Sequence, residues 1–459
     1  MRRVLVRSLV VLLLLVAIGY GYVRFRWSRA RSRLEATVAG HVAAEGGAPF
    51  AALRAELARL DPARQDDTAR WMESVPKAPG VGHRAPPSWL NALGATEADL
   101  DGAATWIEDT GVWADPMLDV LRAHGGCLTS AGMSLPVLLA EGEPNDPIEL
   151  RLPNLIAVRS AAGYALLRAL TRSDPVPALD DLDRLRAAMR PALTVLDAAL
   201  GVAVEDARDD AYLALAIRER LPEARLRAWA SEPPSHFDLA ADALRGERTC
   251  LLVPVARAVA DGRALEGWLG VDPRPRSAFT AWDEHVAARW RVPEEAIGVL
   301  NLHVALETWL RTGRGGEHLA GSMTTPESWP WSVVHCNLPA VAQLCADRDT
   351  RLRATRSAGL LIASARGGGG LPKDHADARL RLGGGAASLE ASPRGYALRY
   401  ERLSAQAFRI AVDPRSPVPP PCAEGDGRLP HGREPPDLAT ASASPTTRRA
   451  DWGVEVRLP

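Results

Sequence analysis

"RDTRLRATRSAGLLIASARGGGG" occupies residues 348–370 and decides how the rest of the chain is read. Its apolar residues recur at helical spacing, and Gly367–Gly370 stop the helix firmly. Upstream of this point the pattern is helical almost throughout. Downstream it changes period. In "GYALRYER" (395–402) Tyr396, Leu398 and Tyr400 fall on one side. In "AFRIAV" (407–412) Phe408, Ile410 and Val412 do the same. Period two marks half-buried strands, and Leu403-Ser404 between them suggests a tight hairpin. The terminal "DWGVEVRLP" alternates again through Trp452, Val454, Val456 and Leu458. We therefore expect an antiparallel sheet of three to five strands, with "RLRL" (379–382) and "ASLEA" as further strand candidates. One face should be covered by the 340–366 helix.

Working back from there, residues 89–366 read as helices broken by Gly and Pro. "NLIAVRSAAGYALLRALTRSD" (154–174) carries a stripe at Leu155, Val158, Ala162, Ala165, Leu166 and Ala169. "ALDDLDRLRAAMRPALTVLDAAL" (178–200) follows after an Asp-Pro break. A short break between amphipathic helices implies an antiparallel hairpin. The region resembles one tetratricopeptide unit, but no second copy appears at the repeat length, so an irregular array is expected. "PKAPGVGHRAPPS" (76–88) is a Pro/Gly linker. Before it, Phe50, Leu53, Leu57 and Leu60 form a helical stripe, and Asp61-Pro62 reads as an N-cap with Pro at the first helical position.

The start, "MRRVLVRSLVVLLLLVAIGYGYVRFRWSRARSR" (1–33), holds a mostly apolar stretch from Val4 to Val23. Twenty helical residues reach about 30 Å, the thickness of a bilayer core. Tyr20, Tyr22 and Trp27 sit where an aromatic belt would. A cleaved signal peptide, with Ala17-x-Gly19 as the small-x-small site, is the rival reading; the bulky basic segment that follows disfavours it. Arginines flank both ends. Their number favours a cytoplasmic body, whereas a short arginine-bearing tail favours an outward one.

The expected fold is mainly α: an N-terminal transmembrane helix, an irregular antiparallel helical array and a small C-terminal antiparallel β-sheet (α+β). The segments are 1–27 transmembrane signal-anchor, 28–75 helical juxtamembrane segment, 76–88 linker, 89–366 helical array and 367–459 sheet with a Pro-rich loop at 413–450.

The order of elements over roughly 340–459 resembles the C-terminal unit of the major pseudopilin of type II secretion systems. Long helix, Gly-bearing break, "LPKD", hairpin, "VDP", loop and terminal "WGVEVRLP" carry the likeness. The same unit ends bacterial proteins that have one N-terminal span and a helical middle. The resemblance implies an envelope-facing body. It would also imply calcium in an acidic loop, for which Asp413, Glu424, Asp426, Glu434, Asp437 and Asp451 are the carboxylates on offer, scattered among prolines where tight ligation needs convergence. Pseudopilins carry a Glu five residues into the apolar helix; here the first Glu is Glu35, which argues against filament assembly.

Composition excludes several classes of function. Net charge is −1, and no basic stripe is interleaved with aromatics, so nucleic acid is not an expected partner. Only Lys77 and Lys373 are lysines. The five cysteines, Cys127, Cys250, Cys336, Cys345 and Cys422, form no CxxC pair. They read as buried small hydrophobes, with one Cys336–Cys345 bridge open to an extracytoplasmic body. The thirteen tryptophans, including the pair in "ESWPWSVV" (327–334), read as core.

The candidate chemistry is thin. His303 and Glu307 share a face of the helix begun by "VPEEAIGVLNLHVALETWL" (292–310), and "DEH" (Asp283, Glu284, His285) precedes it. Together they could make a carboxylate–histidine metal cluster. That face also carries Val299, Leu300, Leu306 and Leu310, which reads as a core pair instead. "VEDARDD" (204–210) puts Glu205, Asp206, Asp209 and Asp210 on one acidic face. By default such a face is solvated, but an arginine-rich helix of the same chain would account for it without function. His335-Cys336 point apart, Ser74 and Lys77 are separated by Pro76, and the glycine runs lack a phosphate-loop context. No catalytic residue, metal ligand or cofactor is assigned. The expected function is a membrane-anchored helical scaffold or interaction protein of the bacterial envelope, held by lipid through residues 4–23 in the inner membrane, with the body leaning periplasmic and envelope proteins as partners. The alternatives are a metal-assisted hydrolase at His285/His303/Glu307 and an accessory part of a secretion system.

Overall fold

The computed structural model describes residues 2–44, 49–74, 97–140, 148–261, 278–316, 319, 337–382, 389–390, 394–413, 415–416 and 453–458. Side chains are described from residue 18 onward in the first helix and from 292 onward in the helix that begins at 278. The linker 76–88, the "ESWPWSVV" pair, His335, Cys336, Cys422, Lys77, the glycines 383–385 and the acidic loop residues from Glu424 to Asp451 lie outside these residues.

The fold is mainly helical with one small antiparallel sheet. The first helix, α1 (Arg2–Ala44), runs without a break through the expected boundary at residue 27. Two short helices follow, α2 (Pro49–Leu57) and α3 (Pro62–Ser74). Asp61 accepts the Ala63 amide at 3.0 Å, the local bond expected of an Asp before an N-terminal Pro. Next come α4 (Glu97–Gly102), α5 (Ala104–His124), α6 (Ser130–Met133) and α7 (Leu135–Leu139).

The centre of the array is α8 (Leu155–Thr171), α9 (Val176–Ala188) and α10 (Val195–Ile217). Helices α8 and α9 pack as the expected hairpin. The reading of 178–200 as one helix is corrected, because it breaks at Met189–Thr194. Pro191 cannot supply a helical N–H, and Thr194 with Asp197 forms a complete capping box that restarts the chain as α10. Then come α11 (Glu223–Ala230), α12 (His236–Glu247), a five-residue π-helical turn (Arg248–Leu252) and α13 (Val253–Ala260).

Helix α14 (Ala278–Thr312) fuses the two segments expected to be separate helices, with Pro293 inside it. Helix α15 (Asn337–Ser364) ends in a second π turn, where Gly368 at φ 86° supplies a backbone that other residues rarely adopt. "RLRL" is not a strand but the end of α16 (His375–Leu382). Asp377 accepts the Lys373 amide at 2.9 Å and pairs with Arg381, so local charge pairing outweighs the two-residue alternation.

Strands β1 (Leu398–Arg402), β2 (Ala407–Val412) and β3 (Gly453–Arg457) form a sheet in the order β1-β2-β3, antiparallel throughout. Tyr400 faces Ile410, and Phe408 faces Val456. The buried face is Tyr396, Leu398, Tyr400, Phe408, Ile410, Val454 and Val456, and α15 packs on β2 and β3.

Helix α10 sits in the middle, against α8, α9, α12 and α15. One large core joins α5, α8, α9, α10, α15 and the sheet. A second lies among α12, α14 and α15 around Trp309. A third gathers Leu34 and Val38 of α1 with α13 and α14. Trp229, Trp309 and Trp106 are buried, as the core reading of tryptophan expects. Cys127, Cys250 and Cys345 are buried too.

Candidate functional site

The acidic face of α10 is not solvated. Glu205, Asp209 and Asp210 are buried, and Asp206 is half-buried. The cover is α15, whose Arg348 and Arg351 stand one turn apart. Arg348 donates to both Asp206 and Asp209. Arg351 donates to the two oxygens of Asp210 at 3.0 and 2.8 Å. Here the arginine-rich partner helix within the chain, the second of the two readings of "VEDARDD", is what the structure contains.

The pairing extends sideways. Arg208 donates to Asp183 of α9 and, at 2.8 Å, to Glu232. Arg186 of α9 reaches Glu205 at 3.1 Å, Glu232 at 3.0 Å and the Ser235 hydroxyl at 3.1 Å. Arg356 of α15 donates to the Glu232 carbonyl. The Trp229 indole N–H donates to Asp209 at 2.7 Å while its ring stacks on Tyr212 at 5.3 Å. Gly359 allows this approach: a Cβ there would stand 2.6 Å from the Trp229 ring.

Electrostatics follow from burial and these partners. Burial alone would raise the Asp209 carboxyl, but Arg348, Arg356, Arg208 and the Trp229 indole hold it below the usual carboxylate range. Asp210 is pushed up to about 6 by burial, helped by the like charge of Asp206 and opposed by Arg351. Burial weakens the protonated form of Arg348, yet Asp206, Asp209 and Glu205 push its pKa up. Each of these carboxylates is engaged by at least one guanidinium, and the central ones are shut off from solvent. The arrangement therefore offers no nucleophile to a substrate. Its chemistry is that of a clamp joining α9, α10, α11 and α15.

The sheet is tied to the same helix. Arg353 of α15 donates to the carbonyls of Glu390 and Tyr396 at 2.5 Å each, and Thr350 accepts the Tyr396 amide at 3.0 Å. Tyr400 donates to the Pro372 carbonyl at 3.0 Å.

The histidine–carboxylate residues do not converge. His303 is fully buried on the face that also buries Val299, Leu300, Leu306 and Leu310. Glu307 turns to arginine instead, accepting from Arg248 at 2.6 Å and from Arg311 at 3.1 Å. His285 lies on the same helix as His303, eighteen residues earlier, about 27 Å along the axis. One metal cannot be held by both. Among the described residues no group of three or more His, Cys, Asp or Glu could hold a metal ion. A half-open cleft of about 200 Å³ lies beside Glu307, lined by His41, Ala44, Arg248, Val304, Thr308 and Arg311.

Two buried sites were missed in the sequence. Asp197 accepts the amides of Ser130 at 2.8 Å and of Leu193 and Thr194 at 3.1 Å each, with the Ser130 hydroxyl as well. The Thr194-x-x-Asp197 spacing is the readable signal for it. His236 has none: it opens α12, fully buried, with neither ring nitrogen hydrogen-bonded among the described residues, its ring 4.2 Å from that of Phe237. Burial lowers its pKa to about 3; Arg348, Arg394 and Arg356 act in the same direction and Asp349 opposes them.

The remaining unusual surface is on α1. Its second half sinks into the body at Ala30, Leu34 and Val38. Before that point, Ile18, Tyr20, Tyr22 and Phe25 are exposed to 67, 63, 60 and 62%, while Val23 and Trp27 are half-buried. Among the described residues no helix is long and apolar enough to cross a membrane. The side chains of residues 1–17, which hold most of the Val4–Val23 run, are outside them.

Comparison with protein-family models, with curated proteins and with solved structures finds no match.

Proposed function

We propose that the chain is a membrane-tethered helical scaffold of the bacterial envelope, presenting an α-helical body and a small sheet to protein partners. One observation carries this reading: α1 leaves the body with Ile18, Tyr20, Tyr22 and Phe25 exposed, and in sequence the helix continues toward its start through the apolar run from Val4. Exposed apolar area of this kind is costly in water, at about 25 cal/mol per Å², and costs nothing in lipid. The buried charges support a structural role for the body, since they engage one another and leave no acid–base or nucleophilic pair open to a substrate. The sequence of long helix, hairpin and returning strand supports the envelope setting and a periplasmic body through the likeness to pseudopilins, while the arginines flanking the apolar run argue for both sides.

The test is alkaline extraction of membranes from cells making the full chain, with a C-terminal phosphatase fusion to report the side. The chain is expected to remain in the pellet at full length, with an active phosphatase. Recovery of the intact chain in the soluble fraction would sink the tether.

A further inference from the structure

The arginines of α1 are treated unlike those of the clamp. Arg24, Arg26, Arg29 and Arg33 are exposed, and among the described residues none of their guanidinium groups has a hydrogen-bond or ion-pair partner. Arg31, between them, is held by Glu35 at 2.9 Å. At about 100° per residue, Arg26, Arg29 and Arg33 fall within roughly 60° of arc, on one flank of the stripe that buries Ala30 and Leu34. Arg24 lies on the other flank. Like charges at these spacings repel, and no carboxylate on the flank offsets them. The same stretch of helix exposes Tyr20, Tyr22 and Phe25. Aromatic side chains followed by exposed arginines match the boundary between hydrocarbon and headgroup.

We propose that Arg24, Arg26, Arg29 and Arg33 form a collar that binds the phosphates of anionic phospholipids where α1 enters the bilayer. The inference rests on the tether proposed above. Counting from Val23 at about 1.5 Å per residue, Arg24 stands about 1.5 Å beyond the apolar run, Arg26 about 4.5 Å, Arg29 about 9 Å and Arg33 about 15 Å. The headgroup layer is about 5–8 Å deep on each side. Arg24 and Arg26 are therefore level with the phosphates, Arg29 is at their outer margin, and Arg33 reaches them only along its flexible stem. The collar is graded by depth, a property that a pocket for free phosphate would lack.

The test reconstitutes the full chain in bilayers of phosphatidylcholine and phosphatidylglycerol. Association of spin-labelled versions of each lipid with the protein is then compared. Phosphatidylglycerol should be preferred, each arginine level with the phosphates contributing up to about fivefold. The preference should fall most in Arg26→Gln, less in Arg29→Gln and least in Arg33→Gln, and it should shrink at high salt. All three side chains are exposed and without a partner among the described residues, so the variants are expected to fold. Equal association of the two lipids overturns the collar while leaving the tether standing. So does a loss in Arg33→Gln as large as that in Arg26→Gln, or saturable binding of inorganic phosphate by the detergent-solubilised chain. Release of the chain by alkaline extraction overturns the tether, and the collar with it.

Discussion

Arg348 and Arg26 carry the same side chain on two long helices, and almost everything else about them differs. Arg348 is buried on α15 and bonded to two carboxylates of α10. Arg26 is exposed on α1 with no partner among the described residues. In the first case the fold itself supplies the counter-charge, and removing either side strands the other in low dielectric. In the second case the described part of the fold supplies none, and the charge is left to the surroundings. A charge on a helix therefore says little until its counter-charge is located, and the location decides whether the residue holds the fold or meets something outside it.

The largest effect should come from breaking the clamp on one side only. Asp209→Ala leaves Arg348 buried without one of its two partners and should cost about 3–5 kcal/mol, read as a drop in denaturation midpoint or as failure of the chain to accumulate. Replacing Arg348, Asp206 and Asp209 together by apolar residues of similar volume should cost far less. If the triple variant is as unstable as Asp209→Ala, the clamp view fails.

Acidification should show the next effect, through His236. Its folded pKa is about 3 against 6.5 for the free side chain, so the unfolded chain takes up the proton first. Stability is full above pH 6.5 and falls as pH drops toward 3, by about 2 kcal/mol at pH 5. Asp210 works the other way. Its folded pKa of about 6 lies above the ordinary 3.8, so its ionised form costs stability above pH 6, and that cost recedes as pH falls toward 3.8. Melting curves between pH 7.5 and 5 should therefore lose acid sensitivity in His236→Phe and gain it in Asp210→Asn.

Gly359→Ala should cost about 1–3 kcal/mol, because the added methyl collides with the Trp229 ring that holds Asp209. At the other end of the scale, Arg26→Gln on α1 should shift the midpoint by no more than about 0.5 kcal/mol. A large shift there would mean that Arg26 belongs with Arg348 after all, and the contrast between the two helices would dissolve.

How much of this could be read in the chain depended on range. Period-two alternation located β1, β2 and β3, because a half-buried strand writes its burial locally. The same rule failed for "RLRL", where the Asp377–Arg381 pair one turn apart favours helix α16. The helical hairpin of α8 and α9 was legible from two stripes and a proline; the break before α10 was visible in Pro191 and in Thr194-x-x-Asp197 but was passed over. The clamp was half legible. The acidic face of α10 and the arginines of α15 were both in view, but some 140 residues separate Arg348 from its partners, and only the fold brings them together. His303 and Glu307 share a helix as expected, yet Glu307 is claimed by Arg248 and Arg311, contacts made in three dimensions. His236 left no trace in the pattern, since one histidine at the start of an amphipathic helix looks like any other.

Helix α1 passes from residue 2 to residue 44 with no described interruption; the body grips it from the buried Ala30 onward, with Leu34 and Val38 against α13 and α14. Only seven residues, about 10 Å of helix, separate Val23 from that grip. With its outer half in lipid, the chain would work as a mast stepped directly into a hull. The body could not swing on a cord; it would be carried at a fixed height and heading, and any tilt or rotation of the mast would pass first to α13 and α14, which pack against it.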